Sequence, residues 1–277
     1  MSDNNFDEII PTAIQGAYYK TLTDIPYSTE ILKEARDLCG ELPQDIIVDE
    51  KAVIREARHK IIDKLLKQSG ITQVFELAAG YSSRGLKFTE NENCCYVELD
   101  LSTVSKAKEM IIERVVGERK NLHVINGNAL DEQVYILAQA YFDKSLPATI
   151  VNEGLLRYLS FDEKSELAEN IRRFITQYGG VWITGDGGFM DFRKNQNQIL
   201  PEHDKSLSKR VPRNSFDNVF ENKEDFANFF ARFGFSTEFY RYSDVLGELS
   251  SAKVLGLSNG RVHDLLFGAY AAVLKLR

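Results

Sequence analysis

The chain has only three cysteines, Cys39, Cys94 and Cys95, and four histidines, His59, His123, His203 and His263. No C-x-x-C pair and no metal-ligand spacing occurs among them, so a metal centre is not expected. Cys94 and Cys95 fall in an apparent strand, where small buried thiols are common. No apolar run approaches the length of a membrane span. The N-terminus, "MSDNNFDEIIP", is acidic and lacks the basic-then-apolar pattern of a secretory signal. An excess of positive charge is also missing. Lys and Arg total 34 against 41 Asp and Glu, a net charge of −7. That argues against a nucleic-acid-binding surface. Internal repeats and low-complexity tracts are absent. These absences leave a cytoplasmic globular protein, long enough for one large α/β domain or two small ones.

Short apolar runs bounded by turn residues are present: "TQVFELA" (72–78), "CCYVELD" (94–100), "NLHVING" (121–127), "ATIVNEG" (148–154) and "VWITGD" (181–186). Helical patterns separate them. Residues 50–69 carry Ile54, Ala57, Ile61, Ile62 and Leu65 at helical spacing, and Gly70 stops the run. The patterns 104–116 and 161–178 follow, the second opened by a Ser160/Glu163 capping box and closed by Gly179-Gly180. Alternating strands and helices predict a doubly wound, mostly parallel sheet. Residues 223–235 predict an amphipathic helix. "STEFYRY" and "LLFGAYAAVLKLR" read as strands with no clear crossover helix between them, hence an antiparallel terminal pair. Residues 1–48 read as an N-terminal helical cap on a domain spanning 49–277. The polar stretch 186–216 reads as a long, lid-like loop.

Ligands of such sheets bind outside the carboxyl ends of the strands. The first strand end, Glu76-Leu77-Ala78-Ala79-Gly80-Tyr81-Ser82, lacks the glycines of a dinucleotide fingerprint. Ala78 and Ser83 stand where two of them belong, and a pyrophosphate would be crowded. Glu76 would repel phosphate and suit a cationic ligand, or cap the following helix. At the second end, Glu98 and Asp100 alternate onto one side, where a carboxylate can accept both hydroxyls of a ribose. Asn128, in "GNALD", can meet an adenine edge or serve as a turn residue. Glu153 adds a carboxylate at the fourth end. Arg58 falls within the apolar stripe of helix 50–69, so it needs an anionic partner. Either a protein carboxylate, Asp100 or Glu98, or a ligand carboxylate could supply it. Ribose, adenine, a cationic centre and a carboxylate together describe S-adenosylmethionine.

"RHKIID", "FELAAGYSSRG", "YVELDL", "GNALD" and "NEGLLRYLS", in this order, resemble the leucine carboxyl methyltransferase family, which includes tetracenomycin-type polyketide O-methyltransferases. "TDIPYSTEI" and "GGVWITGDG" extend the resemblance over most of the chain. It implies a class I methyltransferase sheet of seven strands, the last antiparallel. It also implies that Arg58 grips the cofactor carboxylate, Gly80 lies under its methionine part, Asp100 binds its ribose, Asn128 and Ala129 hold its adenine, and Glu153 lies near its methionine end. Tyr81 belongs to the same loop. The chain departs from the family's E-L-G-A-G by carrying Ala78 for glycine, and Asn128 stands for an aspartate. Lys20 is the candidate for the N-terminal lysine of protein-methylating members.

Methyl transfer needs alignment more than acid–base chemistry. No catalytic residue is therefore assigned, although His59 and His203 are available as bases. A carboxylate acceptor is already ionised and needs no base. The expectation is O-methylation of a small acceptor, carboxylate favoured, with S-adenosylhomocysteine as product. The basic residues Arg193, Lys194, Lys205, Lys209, Arg210 and Arg213 could attract an acidic one. Tyr18, Tyr19, Tyr27 and Phe216 are candidate pocket walls. The rival readings are a non-catalytic S-adenosylmethionine-binding or scaffold protein and a nicotinamide-dependent oxidoreductase.

Overall fold

The computed structural model describes residues 10–41, 47–200, 213 and 216–277. Among them the sheet has seven strands in the order β3-β2-β1-β4-β5-β7-β6. They are β1 (Gln73–Leu77), β2 (Cys95–Asp100), β3 (Leu122–Asn126), β4 (Ala148–Asn152), β5 (Trp182–Gly188), β6 (Phe235–Arg241) and β7 (Ala269–Leu276). Strands β1 to β5 pair in parallel, and β7 runs antiparallel to both β5 and β6. The fold is thus the doubly wound sheet that the alternating pattern predicts. Every residue of β1 and of β4 is buried, polar Gln73, Glu76, Thr149 and Asn152 included, as befits strands covered on both faces.

Helices α1 (Ile10–Thr21), α2 (Ser28–Cys39), α3 (Lys51–Ser69) and α5 (Ser102–Val116) cover one face, and the short α4 (Arg84–Phe88) follows the β1 loop. On the other face lie α6 (Glu132–Ala138), α7 (Phe161–Tyr178) and α9 (Lys223–Ala231), with α8 (Met190–Ile199) following β5. The capping box of α7 forms in full: Glu163 N–H donates to Ser160 Oγ, and Ser160 N–H to the Glu163 carboxylate. The buried stripe of α3 contains Ala57, Ile61, Ile62 and Leu65, while Ile54 is only half-buried.

Two local expectations fail. Residues 242–268, between β6 and β7, are not a short link. They hold a 3-10 segment (Tyr242–Glu248), α10 (Ser250–Val254) and α11 (Asn259–Leu266). The antiparallel direction is right, but its cause is the insertion of β7 between β5 and β6. The loop expected over 186–216 begins as β5 and then α8. Its helical period is hidden because a polar residue, Gln196, faces inward and donates to the Leu265 carbonyl at 2.8 Å. Residues 1–9, 42–46, 201–212 and 214–215 lie outside the described residues, and with them parts of the expected cap and lid. Among the described residues no helix is long and apolar enough to cross a membrane.

Candidate functional site

Strands β1 and β4 are neighbours, yet the chain leaves β1 toward β2 and β3 and later returns to β4 and β5. This reversal opens a crevice at their carboxyl ends. One cavity occupies it. Its walls come from α1 (Thr12, Ala13, Gly16, Ala17, Lys20), α3 (Arg55, Arg58), the β1 exit (Glu76 and residues 78–82), the β2 exit (99–104), the β3 exit (Gly127, Asn128, Ala129) and the β4 exit (Glu153, Gly154, Leu155, Arg157, Tyr158, Leu159). The small residues of α1 allow close packing. A Cβ on Gly80 would lie 3.7 Å from the Ala13 Cβ.

The β1 loop turns through two left-handed positions, Ala78 at φ 53° and Gly80 at φ 53°. Gly80 adopts this freely. Ala78 does so against the clash of its Cβ with the backbone. Asp100 holds the turn from beside it. One oxygen accepts from Gly80 N–H at 2.6 Å and the other from Leu101 N–H at 2.8 Å. Burial pushes the Asp100 carboxyl up to about 6, while those two N–H donors pull it down.

The opposite end of the cavity is a charge network. Arg84 is 2% exposed and reaches Asp63 at 2.7 Å, Glu153 at 2.7 Å and Glu76. The second Glu76 oxygen accepts from the Tyr96 hydroxyl at 2.7 Å. Arg58 meets Glu153 at 3.1 Å and Asp186 at 3.8 Å. Lys20 Nζ lies 4.0 Å from Glu153. Burial alone would raise the Glu153 carboxyl, but Lys20, Arg58 and Arg84 hold it well below the usual carboxylate range. Burial lowers His59, against Asp63, so its ring is neutral at pH 7. Asp186 fixes the β4 exit. It accepts from Asn152 Nδ2 at 2.7 Å and from the N–H groups of Gly154, Leu155 and Leu156 at 2.7, 2.8 and 2.9 Å.

Of the residues singled out in the sequence, Arg58, Glu76, Ala78, Gly80, Tyr81, Asp100, Asn128, Ala129 and Glu153 line this cavity. Glu98 does not. Alternation does turn it to the side of Asp100, but its carboxylate meets Lys108 Nζ at 2.9 Å. Lys108 in turn donates to the carbonyls of Gly80 and Ser82, so Glu98 braces the loop from beneath. Arg58 pairs with Glu153 and Asp186 rather than with Asp100 or Glu98. Glu76 makes no cap. Asn128 Oδ1 accepts from Leu130 N–H at 3.0 Å, a turn role alongside its place in the wall.

Tyr18, Tyr19, Tyr27 and Phe216 are not walls. The first three place their hydroxyls on Asp49, the Val48 N–H and Glu90, and Phe216 lies under Arg193. Of the basic cluster, Lys205, Lys209 and Arg210 lie outside the described residues, as does His203, and Arg213 is paired with Glu163 at 2.7 Å. Arg55, Arg84, Arg157, Tyr158 and Asp186 were not singled out. Asp186 obeys the strand-end rule at the fifth strand. Arg84 lies within a quoted motif and is a cation at a helix start, where the helix dipole disfavours it.

The sheet and this crevice have the class I methyltransferase fold. A putative methyltransferase from Thermobifida fusca YX superposes with a TM-score of 0.52 at 16% identity, covering 95% of this chain and 94% of that one. Magnesium protoporphyrin IX methyltransferase from Synechocystis PCC 6803, solved with bound SAH, gives 0.50 at 9% identity over 88% and 93% of the two chains. Residues 43–172 match the profile of the family described as Leucine carboxyl methyltransferase. A putative S-adenosyl-L-methionine-dependent methyltransferase of Mycobacterium ulcerans (strain Agy99) is 27% identical over 167 residues, 54% of each protein. The chain thus spans about half the length of the curated relatives it matches. S-adenosylmethionine is the cofactor of this class.

Proposed function

We propose that this chain transfers a methyl group from S-adenosylmethionine to an oxygen, preferably of a carboxylate, on a small-molecule acceptor. The cavity fits the cofactor. Asp100 offers two carboxylate oxygens to ribose hydroxyls at the β2 exit. Asn128 and Ala129 flank the place of an adenine. Arg58 and Lys20 provide cations for an amino-acid carboxylate, and Glu153 an anion for the ammonium and sulfonium charge. Ala78, with a methyl group on a left-handed residue, narrows the loop against a pyrophosphate. When bound, the cofactor supplies an electrophilic methyl group. Alpha helix α1 acts as the cap, closing over Gly80 and excluding water from the cavity.

The observation that favours a carboxylate acceptor is the state of the carboxylates in the wall. Glu76 is engaged by Arg84 and Tyr96, and Glu153 by Arg58 and Arg84 with Lys20 nearby. Glu153, held well below the usual range, is a weak base. Among the described residues no histidine lines the cavity. An alcohol would need a base there, and a carboxylate does not.

Calorimetric titration tests the cofactor assignment. S-adenosylmethionine binds the wild type, and Arg58→Ala and Asp100→Ala each weaken it by about 1–3 kcal/mol, the cost of leaving a buried polar partner unmade. No binding at millimolar cofactor would end the proposal. Transfer of labelled methyl across a panel of carboxylic and phenolic acceptors separates the carboxylate reading from the phenol, and an enzyme from a binding protein.

A further inference from the structure

Arg55 lines the same cavity one helical turn before Arg58. Among the described residues its guanidinium has no hydrogen-bond or ion-pair partner, although the side chain is only partly exposed. Arg58, by contrast, pairs with Glu153 at 3.1 Å and Asp186 at 3.8 Å. The groups acting electrostatically on Arg55 are Arg58, Arg157, Tyr158 and Glu153. Only Glu153 among them is an acid already held as an anion, and three cations surround it. Burial pushes the Arg55 guanidinium down to about 10, with Arg58 and Arg157 pushing the same way, so it stays charged at neutral pH. Arg157 and Tyr158 come from the β4 exit and line the cavity too. Like charges gathered at a partly desolvated wall repel one another, and an anion in the cavity relieves that repulsion.

We propose that Arg55 forms an acceptor subsite that binds the carboxylate of the methyl acceptor. This rests on the methyltransferase reading above and names the residue that selects the acceptor. Three residues separate Arg55 from Arg58, a rise of roughly 4.5 Å along α3. The two guanidiniums can therefore serve two anions, Arg58 that of the cofactor and Arg55 that of the acceptor. The planar fork of arginine suits a carboxylate bidentately.

The full chain is saturated with S-adenosylhomocysteine and titrated calorimetrically with sodium benzoate as probe, and with benzamide as its neutral match. Benzoate should bind at least about ten-fold tighter than benzamide, the scale of one charge-assisted hydrogen bond. Arg55→Gln should abolish that preference and leave S-adenosylhomocysteine affinity within about two-fold, since its partners are elsewhere. Arg55→Lys, which keeps the charge and loses the fork, should retain part of the preference and serves if the glutamine variant does not fold. Equal binding of benzoate and benzamide overturns the inference, as does a ten-fold loss of S-adenosylhomocysteine affinity in either variant, which would assign Arg55 to the cofactor. Failure of the wild type to bind S-adenosylhomocysteine is a separate result and overturns the methyltransferase reading itself.

Discussion

Replacing Arg84 by methionine keeps the length of the side chain and removes the cation that three carboxylates share. The three are not equally exposed to the loss. Asp63 is 28% exposed and can recruit water. Glu153 retains Arg58 at 3.1 Å. Glu76 is 1% exposed and keeps only the Tyr96 hydroxyl at 2.7 Å. The destabilisation should therefore centre on Glu76, at about 3–5 kcal/mol for a buried ion pair broken from one side. Urea unfolding followed by circular dichroism at pH 7.5 measures it. Adding Glu76→Gln to Arg84→Met removes the stranded charge and should restore about 1–3 kcal/mol, a coupling expected only of groups in one network. Arg84→Lys should fall between wild type and methionine. A loss below about 1 kcal/mol in Arg84→Met, or a double variant no more stable than the single, would refute the view that this arginine holds the cavity wall together.

Other consequences are equally open to measurement. Ala78→Gly should stabilise the protein by about 0.5–1 kcal/mol, because the left-handed conformation costs an L-residue about 1–2 kcal/mol and glycine's extra unfolded-state freedom offsets part of the gain; a destabilised variant in thermal melts would contradict the strain. Gly185→Ala would put its Cβ 2.8 and 2.9 Å from Cγ and Cδ of Arg58, so a loss of about 1–3 kcal/mol in stability and weaker S-adenosylhomocysteine binding are expected. Asp100 must be ionised to accept ribose hydroxyls, and burial pushes it up to about 6. Cofactor affinity should be flat above pH 7 and fall by at most about ten-fold per unit below 6, with Asp100→Asn flattening the profile in calorimetry. Stability of the free protein runs the other way. Asp100 at about 6 and Glu98, raised by burial to about 7 despite Lys108, both bind protons more tightly when folded. Their contribution is present at low pH and is lost as pH rises through 6 to 7, which urea midpoints of Glu98→Gln against wild type would register.

The parts of the fold that are legible in the sequence are those whose burial repeats locally. Strands β1 to β5 are apolar runs, and α7 announces both its ends. The connection before β7 is hidden because α10 and α11 have only one to two turns, too few for a period to emerge. The strand-end rule brings Asp100, Asn128 and Glu153 to one cavity, since it depends on backbone direction alone. It misjudges Glu98 because alternation gives the side of a strand and not what waits there; Lys108 on α5 takes the carboxylate. The pairings of Arg58 and Arg84 join segments far apart in the chain, so no local pattern carries them. Lys20 and Arg55 enter the wall through the docking of α1 and α3, which follows from tertiary packing.

The wall that α1 contributes has a further consequence. It closes over Gly80, yet it is joined to the sheet through α2 and the chain before α3 rather than by strand pairing. Anything held against Gly80 shares its binding energy with the seating of that helix. The amides of α1 would then act as a built-in gauge of occupancy, exchanging hydrogen slowly when the crevice is filled and faster when it is empty.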